Sequence, residues 1–183
     1  MTIHLETPRC IIRELRLEDE EGMFAMDSDP QVHLYLGKQP IQSRNKAREY
    51  IELIHQQYAD YGIGRWAVID KETNEFLGWT GFKFMDKVNG RTDTYDFGYR
   101  FRRSAWGRGI ATETGKIALE YGVRNLGLKP VHAMTDVNNK ASMNVLEKLG
   151  FRFVEIFDYD GPNPQWLGDN LRATWYELPE TFH

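Results

Sequence analysis

The chain is poor in the residues that build cross-links and metal centres. Of its 183 residues one is a cysteine, Cys10, so no internal disulfide can form. Cys10 sits in an apolar run, where a small buried side chain is a simpler role than a reactive thiol. His33, His55 and His132 show no ligand spacing, and neither a His-Glu-x-x-His motif nor a cysteine cluster occurs, so no metal is expected. No hydrophobic run is long enough to cross a bilayer. The opening Met1-Thr2-Ile3-His4-Leu5-Glu6-Thr7 lacks the basic and apolar regions of a signal peptide, so a cytoplasmic protein with no membrane partner is expected. With a net charge of -4 no nucleic-acid partner is expected, and any anion must be bound locally. Low-complexity segments, repeats and Pro/Gly/Ser linkers are also missing, which predicts one domain over residues 1–183.

What is present reads as alternating strands and helices. Hydrophobic residues make up 41% and charged residues 27%, enough to build a core. Cys10 to Leu15 reads as a strand and Leu17 to Met26 as a short helix opened by acidic residues. Asp27 to Ile41 reads as irregular or broken helix. Ser43 to Tyr61 is a helix with Ala47, Tyr50, Ile51, Ile54 and Tyr58 on one face, ended by Gly62 and Gly64. Arg65 to Asp70 and Glu75 to Met85 form a hairpin. Thr92 to Phe101 alternates, with Tyr95, Phe97, Tyr99 and Phe101 on one face and Asp96, Gly98, Arg100 and Arg102 on the other; Gly98 makes a bulge plausible. Arg108 to Leu126 and Asn139 to Leu149 are helices closed by Gly127-Leu128 and Gly150-Phe151. Pro130 to Thr135, Phe151 to Phe157 and Leu171 to Leu178 are the remaining strands. Antiparallel strands followed by strand-helix-strand-helix-strand predict an α/β sandwich on a mixed sheet.

The stretch Arg100 to Glu113, RFRRSAWGRGIATE, gathers basic residues and two glycines between a strand and a helix. Such a junction exposes unpaired N–H groups at the positive end of the helix dipole, and glycine lets a phosphate approach them. Arg102, Arg103 and Arg108 can add charge-assisted contacts. A plain glycine turn is the competing explanation of the pair Gly107 and Gly109. There is no P-loop motif, and the third glycine of the dinucleotide fingerprint is missing.

Four segments carry a resemblance: TPRCIIREL (Thr7 to Leu15), FLGWTGF (Phe76 to Phe82), YDFGYRFRRSAWGRGIATE and DVNNKASMNVLEKLGFR (Asp136 to Arg152). In this order they resemble the GNAT acetyltransferases, in the branch containing ribosomal-protein N-terminal acetyltransferases (RimJ/RimL-like). The resemblance implies an α/β (α+β) fold with a mixed, mostly antiparallel sheet of about seven strands flanked by about four helices. It implies acetyl-CoA as cofactor and an amine as acceptor, either a protein N-terminus or a small molecule, with a homodimer as a further partner. The family loop is Gln/Arg-x-x-Gly-x-Gly/Ala; Trp106, Gly109 and Ala111 stand at its positions, Trp106 departing from Gln/Arg. By the same resemblance the N–H groups of Gly107, Arg108, Gly109, Ile110, Ala111 and Thr112 hold the pyrophosphate of coenzyme A. The backbone of Tyr99, Arg100 and Phe101 pairs with the pantetheine arm, and Asn139 and Ser142 face its thiol end.

Acetyl transfer to an amine needs a deprotonated nucleophile, a stabilised oxyanion and a protonated leaving thiolate. Asp96 is the first candidate base; pairing with a nearby arginine is its alternative role. Glu113, in the first turn of its helix, is a weaker candidate. The family's tyrosine acid matches Leu146 here, so Ser142, positioned by Asn139, is the candidate acid; membership of a helix N-cap is the alternative. An N–H on a bulged strand near Gly98 or Tyr99 is the candidate for polarising the thioester carbonyl. Tyr35, Trp66, Trp79 and Trp166 are candidate acceptor-pocket walls, with ordinary core packing as the competing role of each. Asp158, Asp160 and Asp169 either attract a cationic acceptor or form a solvated acidic loop.

Overall fold

Burial follows the two periodicities expected of strands and helices, and together they place one sheet between two helical layers. A computed structural model of the chain describes residues 3–163, 167 and 171–182. Among these residues the strands are β1 (His4–Glu6), β2 (Cys10–Glu14), β3 (Arg65–Asp70), β4 (Phe76–Val88), β5 (Arg91–Phe101), β6 (Val131–Asp136), β7 (Arg152–Asp158) and β8 (Arg172–Glu177). The helices are α1 (Glu20–Asp27), α2 (Arg44–Tyr61), α3 (Ile110–Arg124) and α4 (Lys140–Lys148). All eight strands lie in a single sheet ordered β1-β2-β3-β4-β5-β6-β8-β7. Every neighbouring pair is antiparallel except β5 and β6, which run parallel. The eighth strand, beyond the seven expected, is β1, an edge strand too short to show an alternation. No helix among the described residues is long and apolar enough to cross a membrane.

Period-2 alternation divides the core. Trp66 and Val68 of β3 join Phe82, Phe97, Ile110, Ala118 and Leu146 on the α3/α4 side. Ala67 and Ile69 join Met23, Ile51, Ile54 and Trp79 on the α1/α2 side. The predicted apolar face of α2 is the one that packs here, with Tyr50 and Tyr58 at its margin. A bulge in β4 keeps both layers filled: Val68 pairs with Gly78 but Ile69 with Phe76, so Leu77 is the extra residue. Leu77 turns to one layer while Phe76 and Trp79 turn to the other.

The expected faces of β5 are also those observed, but Gly98 makes no bulge. The β4–β5 ladder continues through Gly81–Gly98 to Gly78–Phe101. A Cβ at position 98 would instead stand 3.0–3.1 Å from the guanidinium of Arg65, so this glycine clears room for a buried arginine.

Candidate active site

The strand β5 leads through a single 3-10 turn, Arg103–Ala105, into the first turn of α3. Gly107 and Gly109 both adopt left-handed backbone, at φ 68° and 76°. A side chain at Gly107 would meet nothing within 4 Å, so conformation, not packing, selects glycine there. The result is a run of amides aimed outward. Among the described residues no protein acceptor bonds the N–H groups of Gly107 to Thr112, and no side chain caps the helix.

The charges around this corner differ from the sequence expectation. Arg108 is exposed and only loosely tied, at 3.4 Å to Ser104 O and 3.5 Å to Asp70 Oδ2. Arg103 pairs with Asp29 at 2.5 Å, and Arg102 donates to Phe76 O at 3.2 Å. Arg9, which no sequence signal marked, approaches the Gly109 side chain position to 3.6 Å. Its guanidinium also holds Glu113 at 2.6 Å. Glu113 is therefore paired at the start of α3 and is absent from the lining of the cleft in which Asp96, the first candidate base, lies.

Beyond the corner the sheet opens. The parallel pairing of β5 with β6 covers Tyr95–Val131 and Asp96–His132 and then stops. The Tyr95 N–H points at β6, bonding Pro130 O at 3.0 Å. Strand alternation then turns the N–H and C=O of Tyr99 into the same opening, while those of Gly98 face β4. Tyr99, not Gly98, thus offers a free edge amide, and splaying rather than a bulge frees it. The carbonyl of Phe101 is occupied by the indole N–H of Trp106 at 2.9 Å. On the far side of the opening, Asn139 caps α4 by accepting from Ser142 N–H at 3.1 Å. The Ser142 hydroxyl meets Tyr99 Oη at 3.0 Å, and the phenol also reaches Ser142 O at 2.9 Å. Burial pushes the Tyr99 phenol pKa up, so it stays protonated.

The opening continues into a cavity of about 430 Å³ between the sheet and α2. Tyr50, Leu53, Ile54 and Gln57 form its helical wall. Arg65, Trp79, Lys83 and Asp96 form its sheet wall. Arg65 is 7% exposed and donates to Gly81 O at 2.7 Å, Asp96 O at 2.9 Å and Asp96 Oδ2 at 2.5 Å. Arg100 pairs with Asp27 at 2.8 Å, and the Trp79 ring lies 5.1 Å from the Arg65 guanidinium carbon and 5.2 Å from that of Arg100. Beneath Asp96, His132 Nε2 stands 3.7 Å from Oδ1, its ring stacked on Trp175. Burial pushes the His132 pKa down to about 4, so the imidazole is neutral. A second cavity of about 440 Å³ lies against β2, where Arg13 is locked to Asp19 at 2.8 Å. None of the predicted site residues lines it.

The structure thus brings Asp96, Tyr99, Arg100, Asn139, Ser142 and Trp79 together at one cleft. Trp66 is not part of it: at 0% exposure it packs edge-on against Phe82 and Tyr121 in the opposite layer, which corrects its expected role as a wall. Tyr35 does not line the cavity either; its neighbour Leu36 does. Trp166 and Asp169 lie outside the described residues. Asp158 and Asp160 are exposed, Asp160 accepting from the Asn89 N–H at 2.6 Å, as in a solvated loop. Sequence reading missed Arg65 and Lys83, each set in an ordinary strand pattern. Among the described residues no group of three or more His, Cys, Asp or Glu side chains could hold a metal ion.

Residues 9–152 match the acetyltransferase (GNAT) domain. The chain is 32% identical over 148 residues to an uncharacterized N-acetyltransferase, p20, of Bacillus licheniformis, covering 81% of this chain and 82% of that protein. It is 28% identical over 167 residues to the FsC-acetyl coenzyme A-N(2)-transacetylase of Aspergillus fumigatus, covering 87% and 70%. The fold is similar to that of RimL, a ribosomal L7/L12 α-N-protein acetyltransferase solved in complex with coenzyme A, with TM-score 0.76, 13% identity and coverage of 96% and 97%. The chain belongs to the GNAT acetyltransferase family and is an acyltransferase.

Proposed function

We propose that this member of the family transfers an acetyl group from acetyl-CoA directly to a primary amine in a ternary complex. The observation that carries the reading is the run of unpaired amides from Gly107 to Thr112, continuous with the free strand edge at Tyr99. Outward amides at a helix start fit a diphosphate, and the open space at Gly107 lets one approach. Gly107 to Thr112, with Arg108 and Arg9, would hold the phosphates; Tyr99, Asn139 and Ser142 would flank the pantetheine arm. When bound, acetyl-CoA supplies a thioester, an acyl carbon activated toward amines.

The chain's own groups supply the rest. An aliphatic amine is mostly ammonium near neutral pH, so a base must take its proton. Asp96 lines the cavity, and Arg65 holds its Oδ2, leaving Oδ1 to accept. The Tyr99 N–H, unpaired at the opening, is the donor available to a developing oxyanion. Ser142, hydrogen-bonded to the protonated Tyr99, holds a proton at the same place, filling the role that Leu146 leaves vacant. α2 and the sheet screen this chemistry from water.

Two acceptor classes follow. The size of the cavity and the name of the 28%-identical transacetylase support a small amine. The likeness to RimL supports a protein α-amine. Profiling peptides and metabolites in parallel with labelled acetyl-CoA separates them by which pool takes the label. Saturable coenzyme A binding with no thiol release on any amine would overturn transfer in favour of a silent acyl-CoA-binding module.

A further inference from the structure

The charges of the cavity do not balance, and the imbalance describes the acceptor. Arg65, Lys83 and Arg100 are the cationic side chains on its wall. Asp96 compensates Arg65 and Asp27 compensates Arg100. Lys83 is left over: among the described residues no carboxylate lies within ion-pair distance of it. It stands opposite Asp96 in the β4–β5 register, but Arg65 already holds that carboxylate. Lys83 shares the cavity with apolar Met85 and Leu36, which offer a charged ammonium little solvation. Burial, then the neighbouring Arg65 charge, lower the Lys83 pKa, and the Asp96 carboxylate across the strand offsets them only in part. The same wall has a second unmet need: the Trp79 indole N–H is buried with no acceptor. This surplus is local, because the whole chain is negative at -4.

Resting on the reading of this cavity as the acceptor site, we propose that the acceptor is a small amine bearing a carboxylate, of the amino-acid class. Its carboxylate pairs with Lys83 while its amine faces Asp96. Lys83 and Asp96 are cross-strand neighbours, with Cβ atoms about 5 Å apart, so a small molecule with opposite polarity at its two ends can face both. A polyamine would place positive charge against Lys83, Arg65 and Arg100 and is disfavoured.

The test compares α-amino acids with their amides and with the corresponding decarboxylated amines, following thiol release from acetyl-CoA in the wild type, Lys83→Met and Lys83→Arg. The acids are expected to be used about tenfold or more better than their amides, with the difference in KM. Lys83→Met removes that preference and Lys83→Arg keeps most of it. Equal use of acids, amides and amines, unchanged by Lys83→Met, overturns the carboxylate site and leaves acetyl transfer standing. Binding of the amino acid, followed by calorimetry, separates the remaining cases. Saturable binding lost in Lys83→Met, but with no thiol release on any amine, supports the site and overturns transfer. Neither binding nor release overturns both.

Discussion

The two ends of the cleft are built from different materials. The proposed phosphate corner is backbone: glycine at positive φ, a helix start, and amides with no protein partner among the described residues. The proposed acceptor chamber is side chain: Arg65, Lys83, Trp79, Arg100 and Asp96, drawn from three strands, with the Arg65 and Arg100 guanidinium groups near one indole ring. A backbone site depends on local conformation, so a contiguous stretch of sequence encodes it. A side-chain site depends on long-range register, so the same residues mean little until the strands are aligned. The first therefore suits a ligand recognised through its phosphates, and the second a ligand recognised by the shape and charge of its side groups.

Asp96→Asn attacks the side-chain end and carries the largest expected effect. Loss of a general base lowers kcat/KM by about a thousandfold. The loss is deepest at lower pH, where more of the acceptor is ammonium, and shrinks as pH approaches the amine's own pKa. An equal loss across the pH range would reduce Asp96 to a partner of Arg65. Gly109→Val attacks the backbone end. It forces a β-branched residue into left-handed backbone and obstructs the amides, so coenzyme A affinity falls on the order of a hundredfold, about 2.7 kcal/mol. Unchanged affinity by calorimetry would remove the corner from the site. If each variant lost both functions in equal measure, the division between the two ends would fail.

That division also explains what was legible in the sequence. Gly107 and Gly109 follow a strand and precede a helix, so a tight glycine turn with free amides could be read from spacing and helix geometry. Seven of the eight strands and all four helices were readable, because each is long enough to show its period or is bounded by glycine. β1 was not, being three residues long and significant only through its pairing with β2. A bulge was plausible at Gly98, but the glycine's actual reason, the Arg65 guanidinium arriving from β3 two strands away, has no local signal in the sequence. Trp66 and Trp79 are alike as letters; strand parity and the bulge at Leu77 send one to the α3/α4 side and the other to the α1/α2 side, where it also lines the cavity. The lone Lys83 gives no signal at all until its neighbours' partners are counted.

Ser142 lies where the two ends meet, and its substitution sharpens the boundary. Ser142→Ala keeps the N–H that Asn139 caps, so α4 and coenzyme A affinity persist. It removes the hydroxyl that meets Tyr99, and kcat falls by about tenfold, roughly 1.4 kcal/mol. Tyr99→Phe is expected to cause a similar loss, and the double variant to lose less than the product of the two, because the hydroxyls act as one unit. Loss of coenzyme A binding with kcat intact would make Ser142 part of the cofactor site alone.

The smallest effect concerns the chamber's floor and reads stability instead of rate. His132 is buried against Trp175 with its pKa pushed down to about 4, below the ordinary 6.5. Well above pH 6.5 the imidazole is neutral whether the chain is folded or not, and contributes no pH dependence. As pH falls from 6.5 toward 4 the unfolded chain takes up a proton that the folded chain excludes, so stability declines over that window. At pH 5.5 the decline is about 1 kcal/mol, seen as a lower urea midpoint than at pH 7.5. His132→Phe keeps an aromatic face on Trp175 and abolishes that part of the decline, whereas Gly109→Val, at a corner whose sequence contains no histidine, retains it in full. Equal declines in the wild type and His132→Phe would move the acid-sensitive element away from the chamber, and the two ends of the cleft would then differ in chemistry but not in their response to pH.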